Sequence, residues 1–414
     1  MVGEWRETSI GEFAPFAYGK ALPEHRRDSS GDVPVFGSNG VVGFHGEALT
    51  SGPTVIIGRK GTVGAVHYSP NPCWPIDTTF YVVDPDPDVL RFKYYLLKSL
   101  DLEHMNADSA VPGLNRDAAD ALKILVPPLP EQRAIARILG TLDDKIELNR
   151  RVSETLEAMA RALFKAWFVD FEPVRAKMEG RWRRGHSLPG LPAHLYDLFP
   201  ARLVDSELGP IPEGWKVGTL ADLAVLNPEV WKTETRPAKI IYVDLSNTKW
   251  GRIDSLTAYD SADAPSRAQR VLRPGDTIVG TVRPGNGSYA FIAEGGLTGS
   301  TGFAVLRPRA AHYAEVVYLA ATAPDNIDRL AHLADGAAYP AVRPEVVAAT
   351  PVVCPGDEVL ARFSHAAGPA LAKIAQNERA SRTLAALRDA LLPKLIRGEI
   401  RVKDAERFLK ERGL

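Results

Sequence analysis

Two short segments carry residue types that could take part in chemistry. Residues 71–74, Asn-Pro-Cys-Trp, resemble the Asn-Pro-Pro-aromatic tetrad that holds a target base during methylation of an amino group. Such an enzyme also needs a glycine-rich loop after a first strand to seat its cofactor, and the sequence upstream does not supply one. Residues 58–64, Gly-Arg-Lys-Gly-Thr-Val-Gly, lack the spacing of a phosphate-binding loop. We therefore interpret both segments as turns.

The rest of the sequence offers no catalytic or metal-binding constellation. Cys73 and Cys354 stand in different halves without metal-ligand spacing, which fits a reducing cytoplasm and argues against a disulfide framework. No paired carboxylates flank a lysine as a nuclease would need, and no nucleophile elbow is visible. The 414 residues contain no apolar run of membrane-spanning length and no signal pattern. We expect a cytoplasmic binding protein, not an enzyme, with no cofactor or metal of its own.

The elements that must position any binding residues come in two copies. Residues 145–167 align with residues 373–395 at an offset of 228, and ten of the 23 positions are identical. The segments that open the two halves, 5–14 and 215–224, align at an offset of 210. The offsets drift along the chain, as expected if insertions fall in surface loops. The chain is therefore two copies of one unit, which suits a target that also has two halves.

Each copy ends in a long heptad pattern. In the first copy, from about residue 131 to 166, the apolar positions are Ile135, Ile138, Leu142, Val152, Leu156, Met159, Leu163 and Ala166, with Lys145 and Asn149 on the same seam. The second copy repeats the pattern from about residue 357 to 396. Two such helices, each on the order of 50 Å long, are predicted to pair as an antiparallel coiled coil. Asn149 and Asn377 either set its register or point to solvent or a partner protein.

Before each long helix, short β-type runs alternate with glycine, proline and a few helical stretches. The predicted fold class is α+β, with two similar α/β domains separated by two long antiparallel coiled-coil helices in a pseudo-two-fold duplication. The predicted boundaries are 1–128 for the first domain, 129–170 for the first long helix, 171–210 for a linker, 211–355 for the second domain, 356–400 for the second long helix and 401–414 for a C-terminal tail. The linker carries Arg175, Lys177, Arg181, Arg183 and Arg184 and is interpreted as bound to nothing, with DNA contact as the alternative.

One tract resembles a known family. Residues 127–151, beginning Pro-Pro-Leu-Pro-Glu-Gln-Arg and continuing through Leu-Asp-Asp-Lys-Ile, strongly resemble the central conserved region of type I restriction–modification specificity subunits. Residues 163–173, 211–215 and 391–400 extend the resemblance, which covers essentially the whole chain in the family's order of domain, helix, domain, helix. The second copy departs from the family signature, reading Cys-Pro-Gly-Asp-Glu at 354–358.

The resemblance implies a non-catalytic subunit in which each target-recognition domain reads one half of a bipartite, interrupted DNA site. It implies that the paired helices space the domains and dock two modification subunits, which bring S-adenosylmethionine and methylate an adenine in each half-site. Restriction subunits, with ATP and Mg²⁺, would add cleavage of unmodified DNA. The alternative from another class is a coiled-coil scaffold that grips proteins and does not bind DNA.

The charge balance places tight limits on any DNA surface. Residues 1–128 hold 11 Lys+Arg against 16 Asp+Glu, and residues 211–355 hold 14 against 15, so such a surface must be a local cluster. Base reading and phosphate contact need polar or basic side chains on loops that the duplex can approach. The best candidates are polar residues in glycine-flanked loops after strands: Ser38, Asn39, Arg59, Lys60, Asn247, Lys249, Arg283 and Asn286. The alternative is that these residues line ordinary surface turns and do not contact DNA.

Overall fold

The structure, a computed structural model, describes residues 4–28, 30–105, 113–232, 234–336 and 338–411. By their internal contacts the residues fall into two compact units. Unit 1 comprises Met1–Asn149 together with Arg379–Leu414, and unit 2 comprises Arg150–Glu378. Within the described ranges, no helix is long and apolar enough to cross a membrane. The unit boundaries fall inside the two long predicted helices, so each unit contains part of both.

The first domain, within unit 1, is built from short strands and short helices. The strands are β1 (Arg6–Ser9), β2 (Ala17–Tyr18), β3 (Val33–Gly37), β4 (Gly40–His45), β5 (Thr54–Gly58), β6 (Val66–Ser69), β7 (Trp74–Pro75), β8 (Thr79–Val82) and β9 (Lys123–Val126). The helices are α1 (Ile10–Phe13), α2 (Pro87–Lys98) and α3 (Arg116–Asp120). An antiparallel sheet has the order β2-β8-β5-β6, and a smaller sheet has the order β4-β3-β7 with β3 and β7 parallel. Strands β1 and β9 pair at the domain's base.

Helix α2 illustrates how local sequence starts an element. The Asp86 carboxylate accepts hydrogen bonds from the N–H groups of Asp88 (3.0 Å) and Val89 (3.3 Å), which caps the first turn. Pro87 occupies the first helical position, where a missing N–H costs nothing. The helix ends at Lys98, so it covers one of the helical stretches expected before the first long helix.

The segment after the first long helix is folded and is not a loose linker. The first long helix is α4 (Leu129–Phe168), and the segment after it contains α5 (Glu172–Met178) and β10 (Leu203–Val204), which pairs with β11 (Ile211–Pro212). Trp182 and Phe199 are buried, and the ring of Phe199 lies 5.0 Å from that of Trp167 on α4. Arg181 forms ion pairs with Glu172 and Glu179. The segment predicted as a linker is thus a folded part of unit 2, because its aromatic residues pack into the core of that unit.

The second domain, within unit 2, repeats the topology of the first. Its strands are β12 (Lys216–Thr219), β13 (Ala224–Leu226), β14 (Lys239–Val243), β15 (Thr248–Lys249), β16 (Arg252–Ile253), β17 (Thr257–Asp260), β18 (Ala268–Leu272), β19 (Thr277–Gly280), β20 (Tyr289–Phe291), β21 (Leu297–Ser300), β22 (Phe303–Pro308) and β23 (Pro351–Cys354). Its helices are α6 (Leu220–Leu223), α7 (Ala314–Ala321), α8 (Pro324–His332) and α9 (Pro344–Ala348). The sheet β13-β22-β19-β20 repeats β2-β8-β5-β6, and the parallel pair β14–β21 repeats β3–β7. The pairing of β12 with β23 repeats that of β1 with β9.

The second long helix, α10 (Asp357–Ile396), pairs with α4 in an antiparallel sense and is followed by α11 (Val402–Lys410). In unit 1, the buried face of α4 at 135–142 shares one apolar core with Leu384, Leu391 and Leu395 of α10. In unit 2, the ring of Phe168 near the end of α4 lies 4.9 Å from that of Phe363 near the start of α10. The first part of α4 thus meets the last part of α10 and the reverse, which confirms the predicted fold class.

The seam between the helices differs from the prediction at one apolar residue and contains two polar contacts between the helices. Met159 is 63% exposed, so its assignment to the seam is wrong, and the neighbouring Ala160 is buried instead. The side-chain amide of Asn149 donates to the hydroxyl of Ser381 at 3.2 Å. The side-chain amide of Asn377 donates to the hydroxyl of Ser153, also at 3.2 Å. The two bonds are related by the internal repeat, and each joins one long helix to the other.

Candidate nucleic-acid interface

The loops that carry the predicted residues of the first domain are held by specific backbone hydrogen bonds. The N–H of Gly58, at the end of β5, donates to the carbonyl of Ala65 at 2.8 Å. The N–H of Leu114 donates to the carbonyl of Arg59 at 2.9 Å. Lys60, the next residue, forms an isolated β-bridge with Gly113. The Arg59–Lys60 loop is therefore pinned on both sides.

The second domain repeats these bonds at matching positions. The N–H of Gly280, at the end of β19, donates to the carbonyl of Ser288, and the N–H of Val342 donates to that of Thr281. Arg59 thus corresponds to Thr281, and Arg283 lies two residues further along the equivalent loop. Arg59 and Arg283 therefore lie on equivalent loops of a duplicated fold.

In the first domain, the two predicted loops converge on one carbonyl oxygen. The carbonyl of Thr78 accepts from the hydroxyl of Ser38 (2.7 Å) and from the N–H groups of Arg59 (2.9 Å) and Lys60 (3.1 Å). Ser38 is buried, so its hydroxyl positions the β3–β4 turn. Asn39 and Lys60 are exposed beside it. The structure therefore brings this group together, with Asn39 and Lys60 facing solvent.

The Arg59 side chain is partly buried and has internal partners. Its guanidinium donates twice to the carbonyl of Asp77, at 2.6 and 3.2 Å, and lies 5.6 Å from the centroid of the Tyr18 ring. The Arg116 guanidinium lies 5.5 Å from the same ring. Tyr18 is 54% exposed and thus stands between two cations, an arrangement that suits a base or a sugar–phosphate chain. Sequence reasoning missed Tyr18, because it is 41 residues from Arg59 in the chain.

In the second domain, a concavity of about 740 Å³ opens at one end of the sheet β17-β14-β21-β18. Parallel strands β14 and β21 both end there, at Val243 and Ser300. Strand β18 runs antiparallel to β21 and therefore begins at the same end. As a result Asp244, Arg267 and Gly302, which are far apart in sequence, line one concavity.

The predicted residues Lys249, Arg283 and Asn286 all line this concavity, so the structure brings three of the four second-half candidates together. Asn247 is not in its lining, and its carbonyl accepts from the N–H of Asp254 at 2.8 Å. Residues that sequence reasoning missed also line it, in particular Asp244, Ser246, Arg267 and Tyr339.

Arg283 and Tyr339 form one rigid feature at its rim. Arg283 has left-handed backbone geometry (φ 48°), and its N–H donates to the carbonyl of Pro340 at 2.7 Å. Its guanidinium donates to the carbonyl of Ala338 at 2.8 Å and lies 4.8 Å from the centroid of the Tyr339 ring. Tyr339 is 71% exposed. A large exposed ring fixed by an arginine is suited to contact bases or sugars. The matching tract of the first domain, residues 106–112, lies outside the described residues.

A second exposed aromatic residue, Trp250, follows Lys249 at the tip of the β15–β16 hairpin and is 57% exposed. The backbone N–H of Trp250 donates to the carbonyl of Gly287 at 2.6 Å. A Cβ atom at Gly287 would lie 2.5 Å from the indole ring, so only glycine fits beneath it. The hairpin is thereby held against the loop that carries Arg283 and Asn286.

Each domain is tied to the long helices of its own unit by a buried tyrosine. In unit 1, the Tyr95 hydroxyl donates to the Asp143 carboxylate at 2.6 Å, and Arg388 of α10 donates to the other oxygen, also at 2.6 Å. In unit 2, the Tyr318 hydroxyl donates to Glu157 at 3.0 Å, and Arg161 pairs with the same carboxylate. Burial is the main cause, and the neighbouring carboxylate the second, of a pKa well above the usual range in both phenols. Both phenols are thus neutral donors at neutral pH.

Replacing either tyrosine with phenylalanine should loosen this attachment. Tyr95→Phe removes a hydrogen bond to a buried carboxylate and is expected to lower the free energy of unfolding by about 1–3 kcal/mol, measured by urea denaturation. Tyr94→Phe is the matched control, because its hydroxyl accepts only an exposed bond from Lys98 in the same helix. Its effect should stay within about 0.5 kcal/mol. Equal stability of the two variants would contradict the role given to Tyr95.

The segment at 71–74 leads into strand β7. Cys73 is buried in a small core with Phe36 and Ile56, and the carbonyl of Cys73 accepts from the Thr50 hydroxyl at 3.2 Å. Trp74 lies in β7 beside Val35 of β3. Cys73 and Cys354 are both free thiols. Among the described residues, no group of three or more His, Cys, Asp and Glu side chains could hold a metal ion.

Two equivalent α+β domains, each attached to part of an antiparallel pair of long helices, define a duplicated binding protein. The sequence model of the family described as type I restriction modification DNA specificity domain matches residues 3–158. The HindI specificity subunit of Haemophilus influenzae is 26% identical over 377 residues, covering 78% of this chain and 81% of the relative. The MjaIX specificity subunit of Methanocaldococcus jannaschii is 23% identical, covering 85% of this chain and 78% of the relative.

A solved structure has the same fold. The S subunit of a type I restriction–modification system from M. genitalium superposes with a TM-score of 0.58 over 95% of this chain and 96% of that one, at 18% identity. The family profile over residues 3–158 and the curated relatives over most of the chain are those of type I restriction–modification specificity subunits, and the solved S subunit has the same fold as this chain.

Proposed function

We propose that this chain is the non-catalytic subunit that selects the DNA sequence for a type I restriction–modification complex, with each domain reading one half of a bipartite site. The observation that carries this proposal is the concavity of the second domain. Three cations line it, Lys249, Arg267 and Arg283, beside the exposed ring of Tyr339. Cations neutralise phosphates, and arginine and asparagine side chains can read base edges. The equivalent loops of the first domain present Asn39, Arg59 and Lys60.

Helices α4 and α10 are proposed to act as the spacer between the half-sites. Each is a single helix of 40 residues, about 60 Å long at ~1.5 Å per residue. The bonds Asn149–Ser381 and Asn377–Ser153 favour a single register, since a slip along the seam would leave these polar groups without each other. A spacer that cannot slip would keep the gap in the DNA site constant.

The proposed complex includes two modification subunits, and restriction subunits where cleavage occurs. Modification subunits would bring S-adenosylmethionine and methylate an adenine in each half-site, and restriction subunits would bring ATP and Mg²⁺. Exposed apolar side chains on α4 support docking of a protein there, namely Leu148 within unit 1 and Met159 within unit 2. We place this complex in the cytoplasm.

A gel-shift experiment separates this proposal from a protein scaffold. The chain, with and without its modification subunit, is titrated against a pool of duplexes at several salt concentrations. Binding that weakens steeply as salt rises supports phosphate contact. Assembly with the modification subunit but no DNA binding at any salt concentration would support the scaffold and overturn the proposal. Methylome sequencing of a strain carrying the system would then reveal the motif.

Exchanging one domain tests the modular assignment. Replacing residues 1–128 with the matching domain of a relative should change only one half of the methylated motif, because each domain has its own core and its own loops. The readout is methylome sequencing before and after the exchange, and exchange of residues 211–355 is the matched control for the other half. A change in both halves after one exchange would contradict independent reading.

A further inference from the structure

Asp244 is the one acid in the lining of the second-domain concavity, among the cations Lys249, Arg267 and Arg283. A carboxylate is out of place on a surface that neutralises phosphates, because like charges a few ångströms apart repel even in water. Its presence would be unremarkable if it paired with one of the cations. Among the described residues, however, Asp244 forms no ion pair, and none of the three cations pairs with a carboxylate.

The Asp244 side chain is instead fixed by its own loop. One carboxylate oxygen accepts from the N–H of Leu245 at 2.6 Å. The Asp244 carbonyl accepts from the Thr248 hydroxyl at 2.8 Å, which closes the turn before β15. Asp244 is partly exposed, and among the described residues its second carboxylate oxygen accepts no hydrogen bond. The side chain is therefore held at the end of β14 without being neutralised.

In the major groove of a DNA duplex, an ionised carboxylate can accept a hydrogen bond only from an exocyclic amino group, cytosine N4 or adenine N6. We infer that Asp244 reads such a group in the second half-site, with cytosine N4 the first expectation and adenine N6 the other source of the same chemistry. Lys249 and Arg267 hold the phosphates beside it, and Asp244 selects the base. This inference rests on the proposed function and adds a specificity-determining residue to it.

The assignment predicts two effects of opposite sign. Asp244→Ala should raise affinity for unrelated DNA by about 3- to 10-fold, because a repulsive charge is gone. The same change should reduce discrimination at one base pair of the motif by about 5- to 150-fold, because the amino group loses its acceptor. A residue that merely supports the loop would weaken binding to all sequences together.

The test uses the full chain assembled with its modification subunits and the motif found by methylome sequencing. Each cytosine of the second half-site is replaced in turn by pyrimidin-2-one, and each adenine by purine, which lack the exocyclic amino group. At one position, the analogue should lower the affinity of the wild-type complex and leave the affinity of the Asp244→Ala complex unchanged. Such coupling identifies a direct contact, because lost base pairing would weaken both complexes equally. Coupling at a cytosine identifies N4, and coupling at an adenine identifies N6.

Asp260→Ala, at the end of β17 and outside the lining, is the control for charge alone and should show no coupled position. The absence of any position coupled to Asp244, with wild-type discrimination in Asp244→Ala, would overturn the inference while leaving the proposed function standing. A wild-type complex that shows no sequence preference at all would instead overturn the proposed function.

Discussion

Removing one heptad from each long helix should shorten the gap in the methylated motif by about three base pairs. Seven residues account for about 10 Å of helix at ~1.5 Å per residue, and a base pair for roughly 3.4 Å of duplex. The matched segments are residues 147–153 of α4 and residues 377–383 of α10, which contain both cross-helix Asn–Ser pairs. Deleting both segments brings Ile146 and Leu156, and Ile374 and Leu384, into heptad spacing.

Folding should survive this deletion, because the segments removed are mostly polar and Leu148 is exposed. Three base pairs also rotate one half-site by about 100° around the duplex, so loss of methylation is the other result that a fixed spacer allows. The control is Asn149→Ala with Asn377→Ala, which removes the polar pairs and keeps the helix length; the gap should stay unchanged, because the apolar contacts between α4 and α10 in both units still hold the register. Helix content is checked by circular dichroism. An unchanged gap after the deletion would refute the spacer.

Arg283→Ala should relax specificity at one position of the second half-site by about 1–3 kcal/mol and lower the slope of log affinity against log salt by about 1. The reason is its place, exposed at the rim of the concavity with its guanidinium beside Tyr339. Arg283→Lys keeps the charge and loses the planar fork, so it should keep the salt slope and still lose discrimination. Binding to matched and single-mismatch duplexes at several salt concentrations measures both effects.

Arg59→Ala is the informative comparison, because that side chain is partly buried. Its two bonds to the Asp77 carbonyl and its packing between Tyr18 and Phe80 should make its loss cost about 1–2 kcal/mol of stability. If Arg283→Ala keeps wild-type affinity and specificity, the loop that carries Arg283 does not contact DNA.

The repeat made most of the fold predictable. Once residues 145–167 and 373–395 are recognised as copies, the order of domain and helix follows, and the short strands before each long helix agree with the β-type runs expected there. The seam was harder. Hydropathy favours Met159, but an antiparallel seam has room for small residues, so Ala160 packs inward and Ser153 receives the Asn377 amide.

The site was predictable only where one loop carries it. Arg283 and Asn286 lie three residues apart and were found together, whereas Asp244 and Arg267 meet only because of the strand order β14-β21-β18. Tyr339 joins them because the carbonyl of the next residue, Pro340, accepts from the N–H of Arg283. A single sequence contains no direct signal for that order. The folded segment at 171–210 was missed for a related reason, since Trp182 and Phe199 bury their rings without helical or strand periodicity.

The composition of unit 1 has a consequence for synthesis on the ribosome. Its core needs Leu384, Leu391, Leu395 and Leu409, which are translated about 230 residues after Asn149. Unit 2 is continuous in the chain and can be complete before them. At about 5–20 residues per second, the apolar face of α4 at 135–142 waits roughly 10 to 50 s for its partner. During that interval the nascent chain exposes an apolar surface to which chaperones can bind. A premature stop before α10 is complete should therefore impair folding of the first domain before that of the second.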